Sequence, residues 1–414
     1  MNYYKINGKN CFSVNEYNYE KINEVEFEKC LEEIYFLYEG KIGKTNNSLI
    51  VTSVNELFTT TEDIEELSIL KIKENEIDEE VSSFIKGKIN EKKVIKLNIS
   101  YGINFDENIF KSKKVNLLGL GDVGGTLLIG LRLLGKGIIE EIGIYDLNED
   151  RMKRYEMELN QIVFPNDSDL PKIKIIDADD LFNCDAFIFT ASKFVPEVGN
   201  EKIDVRMVQY QANKKIVAIY AKMARKLKYK GMFFVVSDPV DLLCNVVYYE
   251  SNSNDLNEFD GFGILPNKVR GFGLGVMNGR ANYYSEKMNM NYKNEGRVFG
   301  PHGSGLIVAD SIKKYNDINS LELQKKVIEA NLRVRDAGFK PYIAPALSSG
   351  ALSIIETLKG NNNYSTVFID GIYWGVRNKL VNGSVEIERL NLSENLLFRI
   401  KGSYMDLRKI YEEN

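Results

Sequence analysis

The sequence predicts an α/β protein: a doubly wound parallel sheet, an α+β unit after it, and a small α+β segment before it. Three observations predict this. From residue 114 onward, apolar runs of strand length alternate with helix-length stretches. A glycine-rich loop, Gly119-Leu120-Gly121-Asp122-Val123-Gly124-Gly125, joins the first of these runs to the first of these helices. The first 110 residues differ in texture, with no proline, no arginine and many Glu, Lys, Asn and Ile. At 414 residues the chain exceeds one ordinary core, so more than one domain is expected.

In the first segment, Ser48–Thr52 and Val94–Ile99 read as strands. From Glu24 to Tyr38, Phe27, Leu31, Ile34 and Leu37 fall at roughly helical spacing and predict a helix. Ile64–Leu70 is a second helix candidate. The texture changes between Asp106 and Lys114, and nothing before that boundary names a chemistry. Beyond it, Val115–Leu120 reads as a buried strand, Thr126–Leu134 as a helix and Ile142–Asp146 as a second strand. Asp185–Thr190 and Met232–Val236 are further strands, separated by a helical stretch from about Glu201 to Leu227. Strand, helix, strand in repetition is the pattern of a parallel sheet with crossover helices.

Composition removes several function classes. The net charge is −5, which argues against the basic face of a nucleic-acid binder. No apolar stretch approaches the ~20 residues of a membrane span. The start, MNYYKINGKN, lacks the apolar core of an export signal, so a cytoplasmic protein is expected. Cys11, Cys30, Cys184 and Cys244 are scattered, without metal-ligand spacing; free thiols and no metal are expected.

Gly119-x-Gly121-x-x-Gly124 carries more information. A first glycine makes the tight turn, a second lets backbone approach a pyrophosphate, and a third lets helix and strand pack closely. The pyrophosphate then rests on the positive end of the helix. Asp146 closes the next strand, 22 positions after Gly124. A carboxylate there accepts hydrogen bonds from a ribose diol and repels a 2′-phosphate, favouring NAD over NADP. A lone GxGxxG is weak, and a glycine-rich turn without a ligand is its alternative. The strand–loop–helix–strand–Asp agreement weighs for a Rossmann dinucleotide site. We therefore divide the chain into 1–110, a small α+β domain of unknown role; 111–260, a Rossmann NAD-binding domain; and 261–414, an α+β substrate and catalytic domain.

His302 is the only histidine, in Phe299-Gly300-Pro301-His302-Gly303-Ser304-Gly305. Imidazole is the side chain suited to proton transfer near neutrality. For hydride transfer His302 is the acid/base; otherwise it is a loop histidine satisfied by its neighbours.

These residues resemble the lactate/malate dehydrogenase family, from about Val115 to the C-terminus. In order, the matching pieces are the glycine loop, Ile144–Asp146, Phe189–Ala191, Val236–Asp241, Gly271–Arg280, Pro301–Gly303 and the tail from Glu388. The resemblance implies NAD contacts from Gly119, Gly121, Asp122, Val123, Gly124, Asp146, Thr190, Ala191 and Ser237. It implies that His302 gives a proton to a substrate carbonyl as hydride arrives from NADH. Arg280 would hold the substrate carboxylate in a two-point fork. Asp238-Pro239 would be cis.

The chain also departs from the family. The family places an aspartate one helical turn before its carboxylate-binding arginine, to pair with the histidine; here that residue is Met277. It has asparagine before the proline where this chain has Asp238. Asp238 could supply the missing carboxylate as a third catalytic residue, bind a cationic group on the substrate, or simply stabilise the turn. The usual loop arginines after the Thr190-Ala191 strand are absent from Ser192–Gly199. Lys193 and Arg206 are the nearest cations there, and Lys340 enters the segment that lines the substrate pocket; all three are candidate substrate contacts, with a solvent-facing lysine the plain alternative for Lys340.

The implied function is NAD-dependent dehydrogenation of a 2-hydroxy/2-oxo acid or related small carboxylate, other than simple lactate or malate. A catalytically reduced NAD-binding regulator or scaffold is a second reading. An oxidoreductase on a peptide- or carrier-bound substrate, delivered by a partner at the first 110 residues, is a third. By the same resemblance the chain forms a homodimer or tetramer.

Overall fold

The computed structural model describes residues 1–74, 81–105, 110–166, 169–193 and 205–413. Five strands open the chain: β1 (Asn2–Ile6), β2 (Lys9–Ser13), β3 (Ile34–Tyr38), β4 (Ser48–Ile50) and β5 (Val94–Asn98). Six follow the change in texture: β6 (Lys114–Leu118), β7 (Glu141–Tyr145), β8 (Lys172–Ile175), β9 (Ala186–Phe189), β10 (Met232–Val235) and β11 (Val269–Gly271). Then come β12 (Arg297–Phe299), β13 (Ile307–Ala309), β14 (Asn363–Ile369), β15 (Ile372–Val381) and β16 (Ser384–Ile387). The helices that frame the site are α1 (Asp122–Leu134), α2 (Glu149–Asn160), α3 (Val205–Lys226), α4 (Val240–Ser251) and α5 (Leu274–Lys287).

Strands β6 to β11 form one parallel sheet in the order β8-β7-β6-β9-β10-β11. This is the doubly wound Rossmann arrangement expected from sequence. Helices cover both faces of such a sheet, so its inner strands become continuous apolar runs. Every residue of β9 and β10 is buried. Leu127, Leu128 and Leu131 put one side of α1 onto the sheet with no exposed surface; each such burial contributes about 1.5–3 kcal/mol. Chain order reverses between β6 and β9, and ligands bind such sheets at that reversal, beyond the carboxyl ends of the strands.

The second sheet has the order β1-β2-β3-β5-β4-β16-β15-β14, so strands from both ends of the chain share it. The two ends meet where Leu49 of β4 pairs with Val385 of β16. Asn267 pins this junction, its Nδ2 donating to the Ser48 carbonyl at 3.1 Å and the Gly383 carbonyl at 2.7 Å. The compositional boundary near residue 110 is therefore crossed by the hydrogen-bonded structure.

The helix expected over Glu24–Tyr38 is not formed. A single turn spans Glu24–Phe27, and the later part is β3. Ile34-Tyr35-Phe36-Leu37-Tyr38 is β-branched and aromatic, and it is buried along its whole length between β2 and β5. A strand buried on both faces has no period, and chance spacing with Phe27 and Leu31 imitated a helix. Leu31 is in fact 86% exposed.

Beside β4 and β5, Glu56, Glu62, Glu66, Lys96 and Arg389 gather. Asn46 donates to Glu62 through its backbone N–H at 2.6 Å and its Nδ2 at 2.8 Å. Burial pushes the Glu62 carboxyl up to about 8, against those hydrogen bonds. The folded chain thus holds a proton there that the unfolded chain, with a carboxyl near 4.3, releases. The penalty is absent below about pH 4.3 and complete above about pH 8, so stability falls as pH rises between them. Glu62→Gln is expected to flatten the fall in Tm from pH 5 to pH 8. Parallel Tm profiles for wild type and variant would show that the carboxyl does not titrate in that window.

Candidate active site

The dinucleotide loop leaves β6 at Leu118. Gly119 takes φ +96°, a left-handed conformation that glycine adopts without strain. A Cβ on Gly124 would lie 2.0 Å from the Gly119 carbonyl oxygen, so the loop closes only on glycine. A Cβ on Gly121 would meet nothing within 4 Å, and that open space is where the loop faces the cleft. Gly121 caps α1 without a side-chain hydrogen bond, leaving the first backbone N–H groups of a 13-residue helix to an outside acceptor. Thr190, at the end of β9, donates to the carbonyls of Leu118 at 2.9 Å and Gly119 at 2.7 Å. The residues present therefore fit a pyrophosphate at the start of α1. Asp146 Oδ2 accepts from the Leu120 N–H at 2.7 Å, which fixes the carboxylate at the loop. Arg151 lies 3.3 Å from the same oxygen.

The catalytic residues implied by resemblance converge from three strand ends. After β10 the chain turns through Ser237, Asp238 and Pro239, with the Asp238-Pro239 bond cis as expected. Ser237 Oγ donates to the Ala191 carbonyl at 2.7 Å, joining this turn to the end of β9. Asn213, buried on α3, donates through Nδ2 to the Asp238 carbonyl at 2.8 Å, and its Oδ1 accepts from the Lys193 N–H at 3.1 Å. With its backbone held, the Asp238 carboxylate reaches the imidazole: Oδ1 lies 3.0 Å from His302 Nδ1. The His302 backbone N–H donates to Asp241 Oδ2 at 3.2 Å. His302 Nε2 is buried with no hydrogen-bond partner among the described residues. A carboxylate only accepts, so Nδ1 carries a proton and Nε2 is the nitrogen left to exchange one.

Gly273 and α5 back this histidine. A Cβ on Gly273 would sit 2.8 Å from the His302 Cβ. Ser349 Oγ accepts from the Val276 N–H at 2.8 Å and donates to the Gly273 carbonyl at 2.7 Å, holding the start of α5. Arg280 lies one turn beyond Met277. Burial pulls its guanidinium below the ordinary value, with Tyr284 and Asp238 acting the other way. Its Nη2 donates to Asn331 Oδ1, and its Nη1 lies 3.8 Å from the Met277 sulfur.

The candidate substrate contacts are placed differently. Lys340 reaches the dinucleotide loop, its Nζ 2.9 Å from Asp122 Oδ2. Lys193 is tied through its backbone and its side chain is exposed. The Arg206 side chain, and residues 194–199 of the loop before it, lie outside the described residues. Sequence reasoning missed Asn213, Asn331 and Asp241 as positioning groups. Asn213 had a signal: with Tyr210, Val217, Ala221 and Ala224 it lies on the buried stripe of α3, and a polar residue in such a stripe needs a partner.

Residues 113–259 match the family model described as lactate/malate dehydrogenase, NAD binding domain. An L-lactate dehydrogenase of Clostridium perfringens is 29% identical over 260 residues, covering 62% of this chain and 73% of that protein. A probable malate dehydrogenase of Campylobacter jejuni is 25% identical over 300 residues, covering 68% and 93%. Among solved structures, the malate dehydrogenase of Archaeoglobus fulgidus in complex with NADH superposes with a TM-score of 0.59 at 19% identity, covering 72% of this chain and 99% of that one. A lactate dehydrogenase from a deep-sea metagenome library gives 0.57 at 21% identity, covering 72% and 96%. These likenesses support the doubly wound fold. No helix among the described residues is long and apolar enough to cross a membrane.

Proposed function

We propose that this chain, a distant relative of the lactate/malate dehydrogenase family with an NAD-binding domain, is an NAD-dependent oxidoreductase. It interconverts a 2-hydroxy and a 2-oxo acid, or a related small carboxylate, with simple lactate and malate unfavoured. The observation that carries this reading is the His302 imidazole, its Nδ1 3.0 Å from Asp238 and its Nε2 without a hydrogen-bond partner among the described residues. Gly119, Gly121, Asp122, Val123, Gly124, Asp146, Thr190, Ala191 and Ser237 would hold the dinucleotide, Asp122 through its backbone N–H, and the dinucleotide supplies or accepts hydride at the nicotinamide. Arg280 would orient the substrate carboxylate through the guanidinium edge that Asn331 does not occupy. His302 Nε2 delivers a proton to the carbonyl oxygen as its carbon gains hydride, so C=O becomes CH–OH; in the other direction Nε2 takes the hydroxyl proton. Asp238 accepts from Nδ1 throughout and stabilises the imidazolium. Because Asp238 lies on the imidazole, this orienting role is favoured over binding of a cationic substrate group.

Methionine at 277 is the feature behind the regulator reading, and the Asp238–His302 contact weighs against it. On the likeness to the family, we further place the protein in the cytoplasm as a homodimer or tetramer.

The test is NADH oxidation against a panel of 2-oxo acids, half carrying an amine or second carboxylate. At least one acid is expected to turn over, with His302→Gln lowering kcat at least about 10³-fold while NADH still binds. NADH binding without turnover of any acid on the panel would sink the small-acid reading.

A further inference from the structure

We propose that Lys340 is a cofactor-binding residue: it neutralises Asp122 at the mouth of the dinucleotide loop and shares its charge with the pyrophosphate. The inference rests on NAD binding at the glycine loop and is independent of which acid is the substrate.

Asp122 is the first residue of α1, beside the first-turn N–H groups that no side chain caps. A carboxylate in a first helical turn suits the helix dipole when no anion is near. A pyrophosphate seated on the same N–H groups puts like charge against it, and that repulsion weakens binding. Lys340 meets this conflict. Its Nζ lies 2.9 Å from Asp122 Oδ2, across 218 positions of sequence. It is carried by the segment between the helix Ala330–Asp336 and the helix that begins at Pro345.

The two side chains are 78% and 52% exposed. An exposed ion pair of this kind contributes almost nothing to folding. Its charge matters when a third, anionic group arrives, and a lysine ammonium serves phosphate as a mobile point charge. The pair also joins the two halves of the cleft: the nucleotide loop supplies the acid, and the substrate side supplies the base.

NADH affinity, read by fluorescence titration, tests this on Lys340→Met, Asp122→Asn and the double variant, with adenosine as a phosphate-free control. Both positions are exposed, and an unchanged Tm checks that each variant folds. Lys340→Met is expected to weaken NADH binding about tenfold, more at low salt than at high salt. Asp122→Asn, which keeps the backbone N–H of position 122 and removes the like charge, is expected to bind NADH more tightly than wild type, and to restore most of the loss when added to Lys340→Met. Adenosine affinity is expected to be the same in all four proteins. An NADH affinity unchanged in Lys340→Met overturns the proposal, as does a loss that Asp122→Asn fails to relieve.

Discussion

Asp238→Asn is expected to lower kcat about 10²–10³-fold while NADH affinity stays within about twofold of wild type. Asparagine keeps the size of the side chain and can still accept from His302 Nδ1 through its oxygen, so the ring keeps its place. The negative charge that stabilises the imidazolium is lost. In barrier terms the loss is about 2.7–4 kcal/mol, the size expected when a preorganised charge leaves a proton-transfer site. The effect on KM is expected to be small, because Arg280 is held by Asn331 and lies against Met277, so the contact proposed for the substrate carboxylate survives. A residue that merely shaped the turn would behave otherwise: its loss would lower Tm and weaken NADH binding, because the same turn is tied to the end of β9 by Ser237. Unchanged kcat in Asp238→Asn would remove the orienting role.

The parts of this site legible in the sequence are those where one residue type has no substitute. Only glycine tolerates the approaches at positions 119 and 124, and the loop showed itself as a spacing. A single histidine left one candidate for the acid/base. What escaped were partnerships set by three-dimensional packing. Asn331 meets Arg280 from a separate helix, and nothing local marks it. Lys340 was read by its place in the pocket-lining segment, whereas its long side chain follows the nearest carboxylate to Asp122. The union of β4 with β16 joins residues more than 300 positions apart, beyond any local pattern. The β3 error has a further cause: a strand buried on both faces is apolar throughout, and its period is lost.

The histidine's carboxylate has two possible homes, and exchanging them is the sharper test. Gly273 caps α5, and Met277 and Arg280 follow it at i+4 and i+7, one turn apart on the helix. A Cβ at Gly273 would meet His302, and Met277 is 3% exposed beside Arg280. Met277→Asp alone places a second buried carboxylate next to Arg280. It is expected to raise KM for the acid more than about tenfold by occupying the guanidinium, and to lower stability by about 1–3 kcal/mol. Combined with Asp238→Asn, the same substitution leaves one carboxylate in the site, on the opposite side of the imidazole. The double variant is then expected to regain about tenfold or more of the kcat lost in Asp238→Asn, although each single change is harmful. Such a sign reversal arises only if both positions address the same imidazole. A double variant as slow as Asp238→Asn, folded and still binding NADH, would mean that a carboxylate at 277 does not reach His302, so that Asp238 serves this site from a direction position 277 does not share.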